Sequence, residues 1–153
     1  MRVLVVSDSH GNKEAIRRCL AAQPTARIVI FLGDGLREAE DLAAEEPQRT
    51  FYCVPGNCDL GASALPVREE KLGGVRVLFT HGHLHKVKYG MELLAEDAKR
   101  RQAELVFFGH THQPMARYDD GVYYVNPGSV GKEGRYAVVD IVPNGVMPNL
   151  LHL

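Results

Sequence analysis

The sequence predicts an α/β fold built on two β-sheets, and two patterns predict it. In the first 60 residues, short apolar runs alternate with helical segments, as expected for strands joined by right-handed crossovers into a parallel sheet. From residue 115 onward, short strand-like segments follow one another directly, and we interpret them as a second, mostly antiparallel sheet. The 153 residues suit a single domain, residues 1–153, because two domains of half that length would lack proper cores.

The first three strands are predicted from continuous apolar runs, at residues 3–6, 28–32 and 51–54. Runs without polar alternation are typical of strands whose two faces are both covered. A helix capped by Asn12 and ended by Pro24 lies between the first two runs, and residues 36–46 form another helix before Pro47. This order of elements predicts parallel pairing.

The remaining elements follow from turn signals and periodicity. Residues 67–72 and 75–80, joined by Gly73 and Gly74, are predicted to form a hairpin. A helix near residues 89–102 precedes a further buried strand at 105–108. The strands predicted for the second sheet are residues 115–119, 122–126, 135–142 and 146–151.

Composition excludes several classes of protein. The 18 basic and 19 acidic residues give a net charge of -1, which lacks the basic footprint of a protein that binds long nucleic acids. An odd count of three cysteines argues against a disulfide framework. No signal peptide and no apolar run of membrane length are visible, so we expect a soluble cytoplasmic protein that does not engage a membrane.

Polar residues follow five of the predicted strands at the point where each strand ends. They are Asp8 and His10, Asp34, Asn57, His81 and His83, and His110 and His112. In open α/β sheets the ligand crevice lies beyond the carboxyl ends of the strands, so these groups converge if their strands are neighbours. Each motif alone also has a structural interpretation, such as a helix cap or a turn, but five coincident strand ends favour a site.

This set of side chains indicates a metal centre. Carboxylate, amide and imidazole donors together suit borderline divalent ions such as Mn²⁺, Fe²⁺, Ni²⁺ or Zn²⁺, rather than a structural zinc held by thiolates. Two such ions can share a bridging hydroxide, which would be a nucleophile near neutral pH.

The order of the motifs resembles the calcineurin-like metallophosphoesterase superfamily over residues 8–129. The segments 56–59 and 126–129 resemble its minimal bacterial and archaeal phosphodiesterases, which are similar to the retromer phosphoesterase-like subunit of eukaryotes. The resemblance implies a four-layer α/β/β/α sandwich, in which two mixed sheets are flanked by helices. It also implies a dinuclear phosphoesterase, most simply a phosphodiesterase acting on small phosphate esters, and nucleotides stay open as substrates.

The resemblance further implies a role for each residue. The first metal would be held by Asp8, His10 and His112, and the second by Asn57, His81 and His110. Asp34 would bridge two divalent ions, for which Mn²⁺ is expected and Ni²⁺, Fe²⁺ and Zn²⁺ are alternatives. His83 would lie at the rim of the site. The predicted catalytic residues are Asp34, Asn57, His81 and His83.

One position departs from the family pattern. Many members carry a histidine directly after the asparagine of the third motif, where it protonates the leaving group or steadies the phosphate, and here the residue is Cys58. Without that acid, esters with good leaving groups are favoured, unless His83, His85 or a metal-bound water replaces it. Cys58 also has a plain interpretation as a small packed residue. Asp59 is expected to orient the Asn57 loop.

Several alternatives stay open from sequence alone. Residues 126–129 form either a tight turn or a set of N–H donors for phosphate. The protein could be a phosphomonoesterase, a nucleotide phosphohydrolase, or a protein-interaction module that keeps the fold and the metals without catalysis. The predicted partners are a small phosphate ester and a second copy of the chain in a homodimer.

Overall fold

The computed structural model describes residues 1–153 as two five-stranded sheets with four helices. The strands of the first sheet are, in spatial order, β10 (Gly145–His152), β9 (Arg135–Val142), β1 (Arg2–Val6), β2 (Ile28–Phe31) and β3 (Thr50–Cys53). Those of the second sheet are β4 (Val67–Leu72), β5 (Val75–Thr80), β6 (Leu105–Phe107), β8 (Val122–Asn126) and β7 (Met115–Asp119). The helices are α1 (Lys13–Ala22), α2 (Leu36–Glu45), α3 (Glu92–Arg100) and α4 (Val130–Glu133).

Three apolar clusters divide the fold into four layers. The inner cluster joins the facing sides of both sheets and contains Val3 and Val5 of β1 together with Phe79 of β5. The outer side of β1 buries Leu4 and Val6 against α1, α2 and α4. A third cluster packs α3 on the outer side of the second sheet. The predicted α/β/β/α sandwich is therefore confirmed.

Both sheets are mixed, as predicted. In the first sheet β1, β2 and β3 run parallel, whereas β9 pairs antiparallel with β1 and with β10. In the second sheet the hairpin of β4 and β5 is antiparallel, β5, β6 and β8 run parallel, and β7 pairs antiparallel with β8. The predicted hairpin and the predicted parallel order of the first three strands are both confirmed.

The prediction that residues 115 onward form a sheet of their own is wrong. Strands β7 and β8 extend the second sheet beyond β6, and β9 and β10 extend the first sheet beyond β1. The physical reason is burial. Strand β9 places Tyr136 and Val138 in one core cluster and Ala137 and Val139 in another, so it needs cover on both faces and pairs beside the equally apolar β1.

The topology brings the functional strand ends together from two sheets rather than one. The turn after β1 is bonded to the turn after β2, since the Asp8 N–H donates to Gly33 O (2.9 Å). The backbone N–H of His110, beyond β6, donates to Asp8 Oδ2 (3.2 Å) and so links the two sheets at the same edge. No helix exceeds ten residues, and none is both long and apolar enough to cross a membrane.

Candidate metal centre

The backbone bends sharply at the residues that the sequence predicts as ligands. Eight residues other than glycine have positive φ, and five of them belong to the predicted site: Asp8 (56°), His10 (45°), Asp34 (57°), His110 (70°) and His112 (60°). Side chains larger than glycine rarely adopt this left-handed conformation, which persists only where the surrounding structure holds it. Its concentration at one edge of the sheets marks a functional site.

A first group of candidate ligands consists of Asp8, His10 and His112, whose donor atoms lie within 4.8 Å of one another. Asp8 Oδ1 is 3.2 Å from His112 Nε2 and 3.6 Å from His10 Nε2, and the two Nε2 atoms are 3.2 Å apart. The other oxygen, Asp8 Oδ2, accepts from Ser7 Oγ (2.5 Å). Asp8 Oδ1 is buried without a hydrogen-bond partner, so the group fits a cation that would satisfy this oxygen.

A second group consists of Asp34, His81 and His110. His81 Nε2 is 3.4 Å from Asp34 Oδ2 and 3.2 Å from His110 Nδ1. His81 Nδ1 donates to Leu32 O (2.6 Å), which assigns the ring proton to Nδ1 and leaves the Nε2 lone pair facing the group. A backbone carbonyl that orients an imidazole in this way is a common feature of metal sites.

Electrostatics favours the ligand form of Asp34 and His110, whereas the carboxylates of Asp34 and Asp8 raise the pKa of His81 against the effect of burial. Burial alone would raise the pKa of Asp34, but the neighbouring His81 imidazole and a hydrogen bond from the Cys58 N–H hold that pKa well below its usual range. Burial, together with nearby positive charge, lowers the pKa of His110 to about 4. At neutral pH Asp34 is therefore an ionised carboxylate and His110 an uncharged imidazole, which are the protonation states that bind metals.

The remaining predicted residues lie around these two groups. The ring of His83 is centred 5.4 Å from that of His81 and 6.1 Å from that of His110, and its buried Nδ1 has no partner. Asn57 is exposed, and its amide nitrogen contacts Cys58 Sγ (3.6 Å). His83 thus lies beside the second group without joining it.

Cys58 is exposed, so its interpretation as a small packed residue is wrong. The reason is the tight turn after β3, which points the thiol into the crevice. Its sulfur lies within 4.8 Å of donor atoms of His10 and Asp34. The thiol therefore occupies the edge of the site, at the position where the resemblance leads one to expect a histidine.

Asp59 organises the turn that carries Asn57 and Cys58. Its two carboxylate oxygens accept four backbone N–H bonds at 2.8–3.0 Å, from Asp34, Gly35, Leu36 and Gly56. The turn after β3 is thereby tied to the start of α2 and to the backbone of Asp34. This arrangement agrees with the expectation that Asp59 orients the Asn57 loop.

Sequence reasoning singled out segment 126–129 but did not predict that its side chains hold the strand ends in place. Asn126 donates to Gly109 O (3.2 Å) and Thr111 Oγ1 (2.9 Å), and Ser129 Oγ donates to Asp8 O (2.8 Å). Segment 126–129 is therefore a structural turn, since the Gly128 N–H donates to Asn126 Oδ1 (2.9 Å) within the segment and its side chains bind neighbouring parts of the site. The available signal in the sequence was a polar residue, Asn126, at the end of an apolar run, and the same kind of signal identified Asp8.

Comparison with known proteins agrees with this geometry. A family model described as the calcineurin-like phosphoesterase superfamily domain matches residues 1–143. The chain is 32% identical to the probable metallophosphoesterase YsnB of Bacillus subtilis (strain 168), over 85% of this chain and 75% of YsnB. It is 30% identical to the phosphodiesterase YfcE of Escherichia coli (strain K12), over 96% of this chain and 90% of YfcE.

A solved structure extends the likeness to the fold. The structure of a single mutant of Vps29 from Entamoeba histolytica superposes with a TM-score of 0.79 at 20% identity, covering 100% of this chain and 99% of that one. The family match covers residues 1–143, and the fold agrees with it. The chain belongs to the calcineurin-like phosphoesterase superfamily.

Proposed function

We propose that this protein is a phosphodiesterase that hydrolyses small phosphate esters at a centre of two divalent metal ions. The observation that carries the proposal is the position of Asp34 Oδ2 between the two ligand groups. It lies 3.4 Å from His81 Nε2 in one group and 3.9 Å from His10 Nε2 in the other. The names of the relatives YfcE, a phosphodiesterase, and YsnB, a probable metallophosphoesterase, support the same reaction class.

In this proposal each ligand group holds one ion. Asp8, His10 and His112 hold the first, Asn57, His81 and His110 hold the second, and Asp34 serves both. Mn²⁺ is the expected ion, and Ni²⁺, Fe²⁺ and Zn²⁺ are alternatives because nitrogen and oxygen donors accept all four. When bound, the ions would lower the pKa of water and neutralise charge on the phosphoryl group.

The protein contributes fixed geometry. Asp34 cannot swing away, because its Oδ1 accepts from the Cys58 N–H (2.8 Å) while Oδ2 faces the imidazoles. The hydrogen bond from His81 Nδ1 to Leu32 keeps that ring in one tautomer and one orientation. His83, beside the second group, is the side chain in reach of the phosphoryl group or the leaving oxygen. Preorganised groups of this kind need no rearrangement at the moment of reaction.

Cys58 restricts the range of esters. A thiol at this edge is a poor substitute for an imidazole as a general acid, because a histidine titrates near neutral pH and a free cysteine near pH 8.5. Aryl esters, whose leaving groups need no proton, are therefore the expected substrates for an assay. Nucleotide substrates and a homodimer stay predictions.

The test is hydrolysis of bis(p-nitrophenyl) phosphate by purified protein, stripped of metal and then given Mn²⁺, Ni²⁺, Fe²⁺ or Zn²⁺. We expect nitrophenol release that depends on added metal, stops on chelation, and exceeds the rate with the monoester p-nitrophenyl phosphate. Absence of turnover with all four ions would overturn the proposal. A faster monoester reaction would change its substrate class.

A second candidate is a protein-interaction module that binds metal without catalysis. The likeness to Vps29, a vacuolar protein sorting-associated protein, favours it. Against it stands the complete ligand set, since the chain carries a competent donor at all seven positions predicted to bind metal. The same experiment separates the two, because the module would bind metal and release no nitrophenol.

A further inference from the structure

The loop between β5 and α3, residues 81–91, carries His83 on a hydrogen-bonded turn. The N–H of His85 donates to Gly82 O (3.1 Å), and the N–H of Lys86 donates to His83 O (3.2 Å). His83 and His85 therefore belong to one compact unit of backbone. A displacement of either residue moves the other.

His85 anchors this turn to α3. Its Nε2 lies 2.8 Å from Oδ2 of Asp97, a carboxylate in α3 that is only 6% exposed. His85 Nδ1 is buried without a partner, so the ring proton belongs on Nε2, where it donates to Asp97. This tautomer leaves no buried N–H group without an acceptor.

Asp97 is itself held from the other side. Its Oδ1 accepts from Arg101 Nε (2.7 Å) and from Arg100, and Arg101 also donates to Glu69 Oε2 on β4 (2.9 Å). One buried carboxylate thus connects the loop, α3 and the second sheet. Buried networks whose members are hydrogen-bonded hold their parts rigidly.

His83 has no such anchor of its own. Its side chain makes no hydrogen bond and no ion pair, and its buried Nδ1 is free. Its ring nevertheless lies 5.4 Å from that of His81, centre to centre, within reach of a group bound at the site. The position of this ring is therefore set by the turn, which is anchored by His85 and by the buried Val87, whose N–H donates to Gly82 O (3.3 Å).

We propose that Asp97 and His85 form a positioning pair, which holds His83 where its imidazole contacts a phosphoryl oxygen of the substrate. The proposal rests on the proposed function, because it assigns His83 a contact with that substrate. It concerns residues that neither ligand group includes. Misplacement of a catalytic contact by about 1 Å is enough to lower a rate by one to two orders of magnitude.

The test is a double-mutant cycle between His83 and His85, measured as kcat for the aryl diester. His85→Phe keeps the ring volume, removes the donor to Asp97, and is expected to lower kcat about 10-fold with little change in KM. In a protein that already carries His83→Ala, the same change is expected to have no further effect, because the residue being positioned is gone. Equal losses in both backgrounds would overturn the proposal.

Arg101→Gln is the matched control. It removes a hydrogen bond from the same carboxylate without touching the loop, so it is expected to leave kcat within about twofold while lowering stability as His85→Phe does. His85→Gln, whose amide can still donate to Asp97, is expected to recover part of the rate. A loss in Arg101→Gln equal to that in His85→Phe would indicate a purely structural role.

A second measurement does not depend on activity. In the zinc-loaded protein, the imidazole nitrogen resonances of His83 are expected to shift in His85→Phe, while those of the exposed His152 stay unchanged. Unchanged His83 resonances would overturn the positioning pair. If the wild-type protein released no nitrophenol with any metal, the proposed function would fail, and the resonances would still decide whether His85 places His83.

Discussion

The two carboxylate oxygens of Asp34 have different partners. Oδ1 accepts from the Cys58 N–H at 2.8 Å, and Oδ2 faces His81 Nε2 at 3.4 Å and His10 Nε2 at 3.9 Å. One oxygen therefore fixes the side chain, and the other is offered to both ligand groups. At the scale of single residues, a carboxylate with one fixed and one free oxygen suits a metal ligand that serves both groups.

Cys58→His tests whether a general acid is missing at position 58. An imidazole at this edge would supply a general acid, so kcat/KM for diesters with poor alkyl leaving groups is expected to rise about 10- to 100-fold. The rate with the aryl diester should change far less, because nitrophenolate leaves without a proton. Cys58→Ser is the control for loss of the thiol. An equal change for both classes of ester would contradict this account of the position.

All eight predicted site residues follow a predicted strand, and they could be named from sequence because an apolar run followed by Asp, Asn or His is a local pattern. The bracing contacts of Ser129 and Asn126 were not predictable in the same way. Their partners, Asp8 O and Gly109 O, lie 121 and 17 residues away along the chain. Only the folded topology brings such partners together.

At the scale of elements, the turns after β2 and β3 approach so closely that only glycine fits between them. A Cβ atom on Gly56 would lie 2.2 Å from Asp34 Oδ1 and 2.5 Å from the Asp34 backbone nitrogen. A Cβ on Gly33 would meet the Gly56 backbone nitrogen at 2.4 Å. The packing of two turns thus positions the Asp34 carboxylate.

Gly56→Ala is expected to lower the free energy of unfolding by about 2–4 kcal/mol, because a side chain there must displace backbone. It should also reduce the manganese content of the purified protein. Gly61→Ala is the control, since its Cβ would meet nothing within 4 Å, although its φ of +75° carries a cost of about 1 kcal/mol. Urea unfolding measures the loss of stability in both variants. Equal destabilisation by the two changes would refute the close approach.

Asp97 makes the link between α3 and the loop sensitive to acid. Burial alone would raise its pKa, but hydrogen bonds from Arg101, His85 and Arg100 lower it to about 2. A pKa below that of the unfolded chain stabilises the fold above about pH 4, and the contribution is lost as pH falls toward 2. The stability difference between wild type and Asp97→Asn, from urea unfolding, should shrink over that range. A difference independent of pH would contradict the assignment.

The elements themselves were predicted well where they depend on local patterns. Asn12 caps α1 as expected, accepting from the Ala15 N–H (3.1 Å). The predicted helix at 89–102 begins later, at Glu92, because Gly90 adopts a φ of +153°. Helix α4 was missed, since its four residues are too few for periodicity, although Ser129 and the left-handed Gly134 were available as end signals. The sheet membership of β9 depends on pairing with β1 across the whole chain, which no local pattern reveals.

At the scale of the whole molecule, one apolar cluster joins the two sheets. It contains Val5 and Ile30 from the first sheet and Phe79 and Phe107 from the second, all fully buried. Neither sheet has a separate inner core. The two candidate ligand groups lie at the edge of this shared core, so the site depends on the packing of the two sheets.

The shared core predicts that residues 1–153 unfold as a single domain. Fluorescence of the six tyrosines and far-UV circular dichroism should report the same urea midpoint, since loss of either sheet removes the packing of the other. Two separated transitions would contradict the single-domain prediction.

The central claim is that two metal ions act together and share Asp34. The most direct measurement is turnover of the aryl diester during titration of the metal-free protein with Mn²⁺, with bound metal counted in the same samples. We predict that activity saturates at about two bound ions per chain, and that Asp34→Asn lowers both metal content and turnover, the latter about 100-fold or more. Full activity with one ion, or an Asp34→Asn protein that keeps two ions and full turnover, would contradict the account.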